Sequence, residues 1–192
     1  MKVYGRPRLP SIVNLSMAAS DAATRQLHLE EITTNSSRAT LAQARELLLE
    51  YGRFVIAQPG AGRFCFGTLE KEAAQLPESY QEQGGGSLIA YVQDAPAGFV
   101  AWRAVPAEVA PDAWEMKRLW VRPTARGRAL GKTLTLAVLD RARTAERKAM
   151  YLDTAPASMG AAYRLYIELG FKPCAPYNDN PVEGLTYLVL NL

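Results

Sequence analysis

A short basic turn, Arg126–Lys132, is the part of the sequence whose residue types most clearly predict ligand binding. It joins a predicted strand to a predicted helix and reads RGRALGK. The first amides of a helix have no partner within the helix, and the helix dipole adds partial positive charge beside them. Glycine also lets a backbone approach a ligand closely. The turn therefore predicts a site for a phosphate or pyrophosphate, the alternative being an ordinary basic turn on a solvated surface.

The histidine and cysteine content limits the other chemistry that the chain can perform. His28 is the only histidine, and Cys65 and Cys174 are the only cysteines. Histidine-based triads, multi-histidine metal sites and CxxC zinc sites are therefore not predicted, and we expect no bound metal. No base accompanies Cys174 in the sequence, which argues against a cysteine nucleophile. Acid and base roles would fall to Glu, Asp, Tyr, Lys or bound water.

The overall composition is that of a folded domain. The chain has 192 residues, 48% of them hydrophobic, and a net charge of +3. The charge excess is too small to support nucleic-acid or membrane-surface binding, and no apolar run reaches the ~18 residues of a membrane span. Residues 1–25 lack periodicity and are predicted to be a flexible arm, followed by a single domain at 26–192. The opening residues make a poor signal peptide, so we predict a cytoplasmic location with reduced thiols.

Hydrophobic periodicity predicts the elements that must position the turn. In order, these are a strand, two helices, a meander of three strands, a long helix, a strand, a helix and a final strand. They are predicted at residues 26–32, 38 onward, 69–80, 88–92, 99–105, 114–121, 130 onward, 150–153, 158–169 and 185–190. This order predicts an α/β fold with a mixed sheet, antiparallel first and parallel around the long helix.

Three blocks of the sequence resemble the GNAT superfamily of acyl-CoA-dependent N-acetyltransferases. Residues 126–131 (RGRALG) are similar to its Gln/Arg-x-x-Gly-x-Gly/Ala cofactor motif, with Ala129 in place of the first glycine. Residues 115–123 (EMKRLWVRP) resemble the fourth strand of the family. Residues 162–171 (AYRLYIELGF) resemble its Ala-x-x-Leu-Tyr-x-x-Leu-Gly-Phe signature. The spacing of the blocks and the order of elements from residue 26 onward also suit the family.

The resemblance implies a mixed, mostly antiparallel sheet (α/β, or α+β) with one splayed pair of parallel strands and helices on both faces. It implies acetyl-CoA as co-substrate, with the pantetheine arm paired to the backbone of Leu119, Trp120 and Val121 like an added strand. The methyl group of Ala129 is expected to crowd the pyrophosphate or shift the turn. Amides that would hold the pyrophosphate belong to Arg126, Gly127, Arg128, Ala129, Leu130, Gly131 and Lys132.

Tyr166 is the acid that the resemblance implies. It lies in the signature where the family has a Tyr against the CoA sulfur. A phenol with an ordinary pKa near ~10 is protonated at neutral pH and can donate to a thiolate. The alternative is a core aromatic residue, because Tyr166 shares a helical stripe with Ala162 and Leu169.

Glu115 is the base that the resemblance implies. It lies eleven residues before Arg126, where the histone-modifying branch of the family has its catalytic Glu. Partial burial would raise the pKa of this carboxyl and let it accept a proton, directly or through water. The alternative is an ion pair with a nearby Lys or Arg, and strand alternation puts Lys117 on the same face.

The resemblance does not identify the acceptor beyond an amine of a small molecule or peptide, attacked directly without a covalent enzyme intermediate. A polar loop, 177–184, corresponds to one that often borders the acceptor site, and Asp179, Asn180 and Glu183 have ammonium-binding side chains. Simple turn chemistry is the alternative. The competing function is a non-catalytic acyl-CoA-binding sensor or scaffold. A nucleic-acid partner is disfavoured by the weak charge, and a homodimer is expected because family members frequently dimerise.

Overall fold

The computed structural model describes residues 27–58 and 66–192, so the arm predicted for residues 1–25 lies outside the described residues. The strands are β1 (Leu27–Glu31), β2 (Gly86–Val92), β3 (Ala95–Ala104), β4 (Ala113–Val121), β5 (Ala149–Thr154), β6 (Lys172–Pro173) and β7 (Thr186–Asn191). The helices are α1 (Arg38–Ile56), α2 (Phe66–Ala74), α3 (Glu78–Gln81), α4 (Leu130–Thr144) and α5 (Gly160–Glu168), and Pro123–Ala125 forms a 3-10 turn.

The strands form one sheet in the order β1-β2-β3-β4-β5-β7-β6. Neighbouring strands are antiparallel except β4 and β5, which are parallel. The parallel pair is short, because its register runs only from Ala113 opposite Ala149 to Glu115 opposite Tyr151. Beyond Glu115 the two strands separate, and we call this gap the splay. The mixed, mostly antiparallel sheet with a splayed parallel pair is confirmed.

Helices cover both faces of the sheet, as predicted. On one face, α4 and α5 cover a core that includes Leu134, Val138 and Tyr166. On the other, α1, α2 and α3 cover a core that includes Leu47, Leu69 and Tyr80. Within the described residues, no helix is both long and apolar enough to cross a membrane.

A bulge in β4 changes which face each side chain occupies. Arg118 has a φ of 59°, and the register with β3 shifts between Phe99 and Ala101. A bulge adds one residue to a strand and so reverses its alternation. Trp114 therefore packs in the core beneath α4, whereas Trp120 packs in the core beneath α1.

The predicted helix at 69–80 is wrong as a single element. α2 ends at Ala74, and α3 begins at Glu78. Between them lies Pro77, which has no amide hydrogen to donate and whose ring displaces the preceding turn of a helix. The break brings the carbonyls of Ala73 and Leu76 within reach of Arg45 on α1, whose guanidinium donates to both at 3.2 and 3.3 Å.

Candidate functional site

Two adjoining cavities open at the splay. The inner cavity reaches the α5 side and is lined by Met116, Leu119, Ala162 and Tyr166 among others. The outer cleft reaches the loop before β7 and is lined by Val55, Gln58, Ser158, Asn180, Val182, Glu183 and Leu185 among others. The residues common to both are Tyr51, Arg118, Asp153, Thr154 and Met159. We call the two adjoining cavities together the passage. Its lining includes Tyr51 of α1, on one face of the sheet, and Tyr166 of α5, on the other.

Tyr166 lies where this passage meets α5. It is 5% exposed, and its ring packs against that of Phe171, with centroids 5.7 Å apart. Burial raises the pKa of Tyr166 well above the ordinary value of a phenol, and the neighbouring Tyr51 and Asp153 raise it further. The residue is thus both a core aromatic, as the alternative proposed, and a protonated hydroxyl on the wall of the inner cavity.

Glu115 is a buried carboxylate held by four hydrogen-bond donors. Its side chain is 3% exposed, with Arg103 Nε at 2.7 Å and Lys117 Nζ at 3.0 Å. Tyr177 donates its hydroxyl at 3.0 Å and Asn178 its amide at 3.1 Å, both to Oε1. Burial alone would raise the pKa of Glu115, but the positive charges of Lys117 and Arg103 outweigh it and the pKa is lowered.

The ion pair between Glu115 and Lys117 is confirmed, and the expected rise in the pKa of Glu115 is wrong. Strand alternation in the sequence indicates that Lys117 can contact Glu115. Arg103 lies on the neighbouring strand β3, and only the pairing register of β3 and β4 places it opposite Glu115. Two cations favour the ionised carboxylate more strongly than burial disfavours it. Whether Glu115 acts as the base stays a prediction.

The loop before β7 ties the two separating strands together. Asn178 donates its amide both to Glu115 on β4 and to Oδ2 of Asp153 on β5, each at 3.1 Å. Asn180 adds a second donor to Asp153 Oδ2 at 3.2 Å. The same side chains make the predicted turn contacts, since Asn178 Oδ1 accepts from Asn180 N–H and Asn180 Oδ1 from Val182 N–H. Turn chemistry and cavity lining therefore coexist in this loop.

The basic turn presents unpaired amides at the start of α4. The first bond along the helix runs from Thr133 N–H to Ala129 O at 3.0 Å, which leaves the amides of Leu130, Gly131 and Lys132 without a partner in the helix. Gly127 has a φ of 76°, and a Cβ placed there would meet nothing within 4 Å. The turn therefore requires glycine at this position for its backbone conformation, and space remains above it for a ligand.

The end of β4 lies beside this turn. Arg122 N–H donates to Ala97 O of β3, so strand alternation aims the backbone groups of Leu119 and Val121 into the splay and those of Trp120 toward β3. Arg126 Nε donates to Val121 O at 3.1 Å. The backbone groups of Leu119 and Val121 are therefore better placed than those of Trp120 to pair with a pantetheine arm in the splay. The Val121 carbonyl already accepts the bond from Arg126.

The side chain of Trp120 instead supports the turn from the opposite face. The guanidinium of Arg126 lies 5.1 Å from its ring centroid, and its indole N–H donates to Glu50 on α1 at 3.0 Å. Arg122 also reaches Glu50, with Nη2 2.8 Å from Oε1. These contacts fix α1 to the end of β4 and so hold the turn in position.

Ala129 occupies a backbone conformation that favours glycine, with φ 55° and ψ 14°. For a residue with a Cβ, this left-handed conformation costs about 1 kcal/mol or more, and for a β-branched residue it costs more. We expect Ala129→Gly to leave stability within about 1 kcal/mol, because strain relief offsets the greater freedom of the unfolded chain. The Ala129→Gly variant should also bind acetyl-CoA several-fold more tightly, because the methyl group of Ala129 is removed.

Ala129→Val is the matched opposite and should lower the free energy of unfolding by about 1–2 kcal/mol. Thermal denaturation and calorimetric titration with acetyl-CoA, performed on all three proteins, measure both effects. Equal acetyl-CoA affinities in the three proteins would show that the Cβ at residue 129 does not face the cofactor.

Sequence reasoning missed the four polar residues that line both cavities: Tyr51, Arg118, Asp153 and Thr154. Arg118 forms a two-pronged ion pair with Glu72, at 3.1 and 2.9 Å, and lies over the Tyr51 ring at 5.7 Å. A charged residue within a mostly apolar strand was the available signal for both Arg118 and Asp153.

Metal and thiol chemistry find little support in the described part of the chain. Among residues 27–58 and 66–192, no group of three or more His, Cys, Asp or Glu side chains could hold a metal ion. Burial raises the pKa of the Cys174 thiol, which makes the reactive thiolate scarcer.

Comparison with known proteins places these features in a family. The model of the acetyltransferase (GNAT) family matches residues 46–171. An uncharacterised N-acetyltransferase of Schizosaccharomyces pombe is 32% identical over 127 residues, which cover 66% of this chain and 76% of the yeast protein. An IAA acetyltransferase of Azospirillum brasilense is 37% identical over 72 residues, covering 36% of this chain and 46% of that protein.

Solved structures share the fold at lower sequence identity. A GNAT-family acetyltransferase of Staphylococcus aureus Mu50 superposes with a TM-score of 0.67 at 15% identity, covering 86% of this chain and 98% of that one. The Salmonella typhimurium protein yncA, solved with its cofactor acetyl-CoA, gives a TM-score of 0.59 at 19% identity, with 86% and 93% coverage.

Proposed function

Because the chain belongs to the acetyltransferase (GNAT) family, we propose that it transfers an acetyl group from acetyl-CoA to an amine of a small molecule or peptide. The observation that carries this proposal is the passage at the splay. It joins Tyr166 on the α5 side to Asp153 and Asn180 on the side of the loop before β7. A cofactor and an acceptor could enter such a passage from opposite faces of the sheet and meet within it.

The residues around the passage fit acetyl-CoA. Unpaired amides at the start of α4 suit the pyrophosphate, and the splay-facing backbone of Leu119 and Val121 suits the amides of the pantetheine arm. The Thr154 hydroxyl is buried at the cavity wall with no hydrogen-bond partner among the described residues. A ligand in the passage would offer it one, since buried polar groups are normally paired.

Acetyl-CoA would supply an acetyl group on a thioester, and the chain would supply position and protons. The acceptor ammonium must lose a proton before its nitrogen can form the new N–C bond, and the departing sulfur carries the electron pair of the broken C–S bond. We propose that Tyr166 donates its hydroxyl hydrogen toward that sulfur. Glu115 is the proton acceptor that the resemblance implies, but it lines neither cavity, and Lys117 and Arg103 weaken it as a base. We therefore propose that water in the passage takes the ammonium proton, with Glu115 holding the loop that borders the acceptor.

Direct attack is the proposed route, without a covalent enzyme intermediate. Holding two reactants side by side supplies much of the rate enhancement of such a reaction. The thiol of Cys174, whose pKa is raised, is poorly suited to act as a nucleophile.

Calorimetric titration with acetyl-CoA tests the proposed function. We expect saturable binding by the folded protein, weaker binding of ATP, and turnover when an accepted amine is added. Desulfo-CoA is the matched control for the reacting sulfur and should bind without turnover. Folded protein that binds no acetyl-CoA would contradict the proposal. Tight binding without turnover on a broad amine panel would favour the alternative, a non-catalytic acyl-CoA-binding sensor or scaffold.

We also propose four properties of the protein from its sequence. They are a single domain over residues 26–192, a homodimer, a cytoplasmic location and no nucleic-acid partner. Gel filtration with light scattering measures the oligomeric state. A salt-sensitive complex with DNA or RNA would contradict the proposed absence of a nucleic-acid partner.

A further inference from the structure

The carboxylate of Asp153 differs from that of Glu115 in having no cationic partner. Within residues 27–58 and 66–192, no Lys or Arg nitrogen lies within 4.0 Å of it, and its hydrogen bonds come from the neutral amides of Asn178 and Asn180. Both amides donate to Oδ2. The carboxylate thus lines both cavities without an ion-pair partner among the described residues.

A second observation points to a ligand at the same place. The side chain of Thr154 follows Asp153 at the end of β5, is 3% exposed, and lines both cavities. Its hydroxyl has no partner among the described residues. An unpaired buried hydroxyl costs free energy unless something that binds there pairs with it.

The charges that line the outer cleft favour a cation. Asp153 and Glu183 are its acidic residues, and Arg118 is its basic residue. The guanidinium of Arg118 is already engaged by both oxygens of Glu72, so its charge is offset. A carboxylate on the acceptor would therefore lie beside two carboxylates that form no ion pair with a described residue and be repelled, whereas an ammonium would be attracted.

The rest of the lining suits an alkyl chain. Val55, Met159, Val182 and Leu185 provide apolar contacts around the acidic residues. A cleft with few polar groups on an apolar wall orients a ligand through those polar groups.

We propose that Asp153 binds the acceptor's ammonium group before it loses its proton to water and attacks as the neutral amine, and that Asp153 so selects a cationic alkylamine without a carboxylate. This deepens the proposed function and rests on it, because Asp153 would hold the nitrogen in the passage that Tyr166 also lines. Glu183, an exposed residue of the outer cleft, would favour acceptors with a second positive charge.

Three amines with similar carbon chains test the charge preference: putrescine, butylamine and γ-aminobutyrate. We expect kcat/KM to fall in that order with acetyl-CoA as donor. Asp153→Asn should lower kcat/KM for butylamine by about 10- to 100-fold, the range expected for loss of a hydrogen bond to a charged group. Acetyl-CoA affinity should stay within about twofold, which also shows that the variant is folded.

Asp140→Asn is the matched control, because it makes the same substitution at an exposed carboxylate on α4 and should change nothing. Equal kcat/KM in wild type and Asp153→Asn, or γ-aminobutyrate as good an acceptor as putrescine, would overturn the proposal.

Calorimetric titration of each protein with putrescine alone separates this proposal from the proposed function. Weaker putrescine binding by Asp153→Asn than by wild type is expected even if acetyl-CoA does not bind, in which case only the proposed function fails. Identical binding by the two proteins, or no binding by wild type, would overturn the assignment of Asp153.

Discussion

Tyr166→Phe should lower kcat by about 10²- to 10⁴-fold while leaving acetyl-CoA affinity within about twofold. The range is that of a positioned proton donor. The raised pKa of Tyr166 keeps its hydroxyl protonated over the neutral and mildly alkaline range, so the hydrogen is always present to be donated. No described residue is hydrogen-bonded to this hydroxyl, and stability should therefore change by about 1 kcal/mol or less.

Steady-state kinetics with a saturating amine, together with urea unfolding, measure both quantities. Tyr163→Phe is the matched control, because Tyr163 lies on the same helix, packs against the same core and lines neither cavity. An unchanged kcat in Tyr166→Phe would remove Tyr166 from the mechanism and leave its ring as part of the core. A fall in kcat accompanied by a large loss of stability would instead indicate disturbed packing.

The raised pKa of Tyr166 allows a further test with the Tyr166→Phe variant. A raised pKa means that ionisation of Tyr166 cannot cause a decline in rate near the ordinary pKa of a phenol, ~10. Any loss of rate below that pH must therefore come from another group, and it should persist in Tyr166→Phe.

The features that the sequence predicted correctly are those specified over short distances along the chain. The strand, basic turn and helix around residues 114–144 follow from periodicity and glycine spacing, and the helix carrying Tyr166 follows in the same way. Such patterns depend on neighbours within a few residues. The family resemblance uses the same local blocks, which is why it also identified the fold.

The acceptor side of the site could not be predicted, because it depends on where two strands stop pairing. Asp153 becomes part of a cavity only because β4 and β5 separate after Glu115. The bulge at Arg118 reverses the faces of the residues that follow it, so simple alternation places Trp120 on the wrong face. Neither event leaves a periodic pattern in the sequence.

The pKa of Glu115 shows the same limit in electrostatic terms. The predicted strand indicates that Glu115 is partly buried, and burial alone raises the pKa of a carboxyl. The net direction is the opposite, because Lys117 and Arg103 of the neighbouring strand both lower the pKa of Glu115. A sequence gives the charges, but the register of the sheet decides which of them meet.

Glu115→Ala should lower the free energy of unfolding by about 2–4 kcal/mol. Removing one member of a buried charge network leaves its partners unpaired, which costs about 3–5 kcal/mol, and the partial exposure of Arg103 reduces that cost. The loop before β7 would also lose two of its anchors, the bonds from Tyr177 and Asn178. Urea unfolding measures the change.

Glu115→Gln tests the charge separately from the shape of the side chain. Because the folded-state pKa of Glu115 is lowered, its stabilisation is present above the unfolded value, 4.5, and is lost as the pH falls through the folded value. Wild type should therefore lose stability below pH 4.5 more steeply than Glu115→Gln. Glu31→Gln, at an exposed ion pair with Arg141, is the matched control and should keep the wild-type slope. Parallel slopes in wild type and Glu115→Gln would contradict the lowered pKa.

The same variant decides between the two roles of Glu115. A base that accepts the ammonium proton would make kcat fall steeply in Glu115→Gln, and the acidic limb of the pH profile would disappear. A positioning role would instead raise KM for the amine, because Asn178 links Glu115 to Asp153 in the acceptor cleft, while kcat and its pH profile would change little. The two cations that hold Glu115 ionised make it a weak base, so we expect the second pattern. A steep loss of kcat with unchanged KM would show that the carboxylate takes the proton despite them.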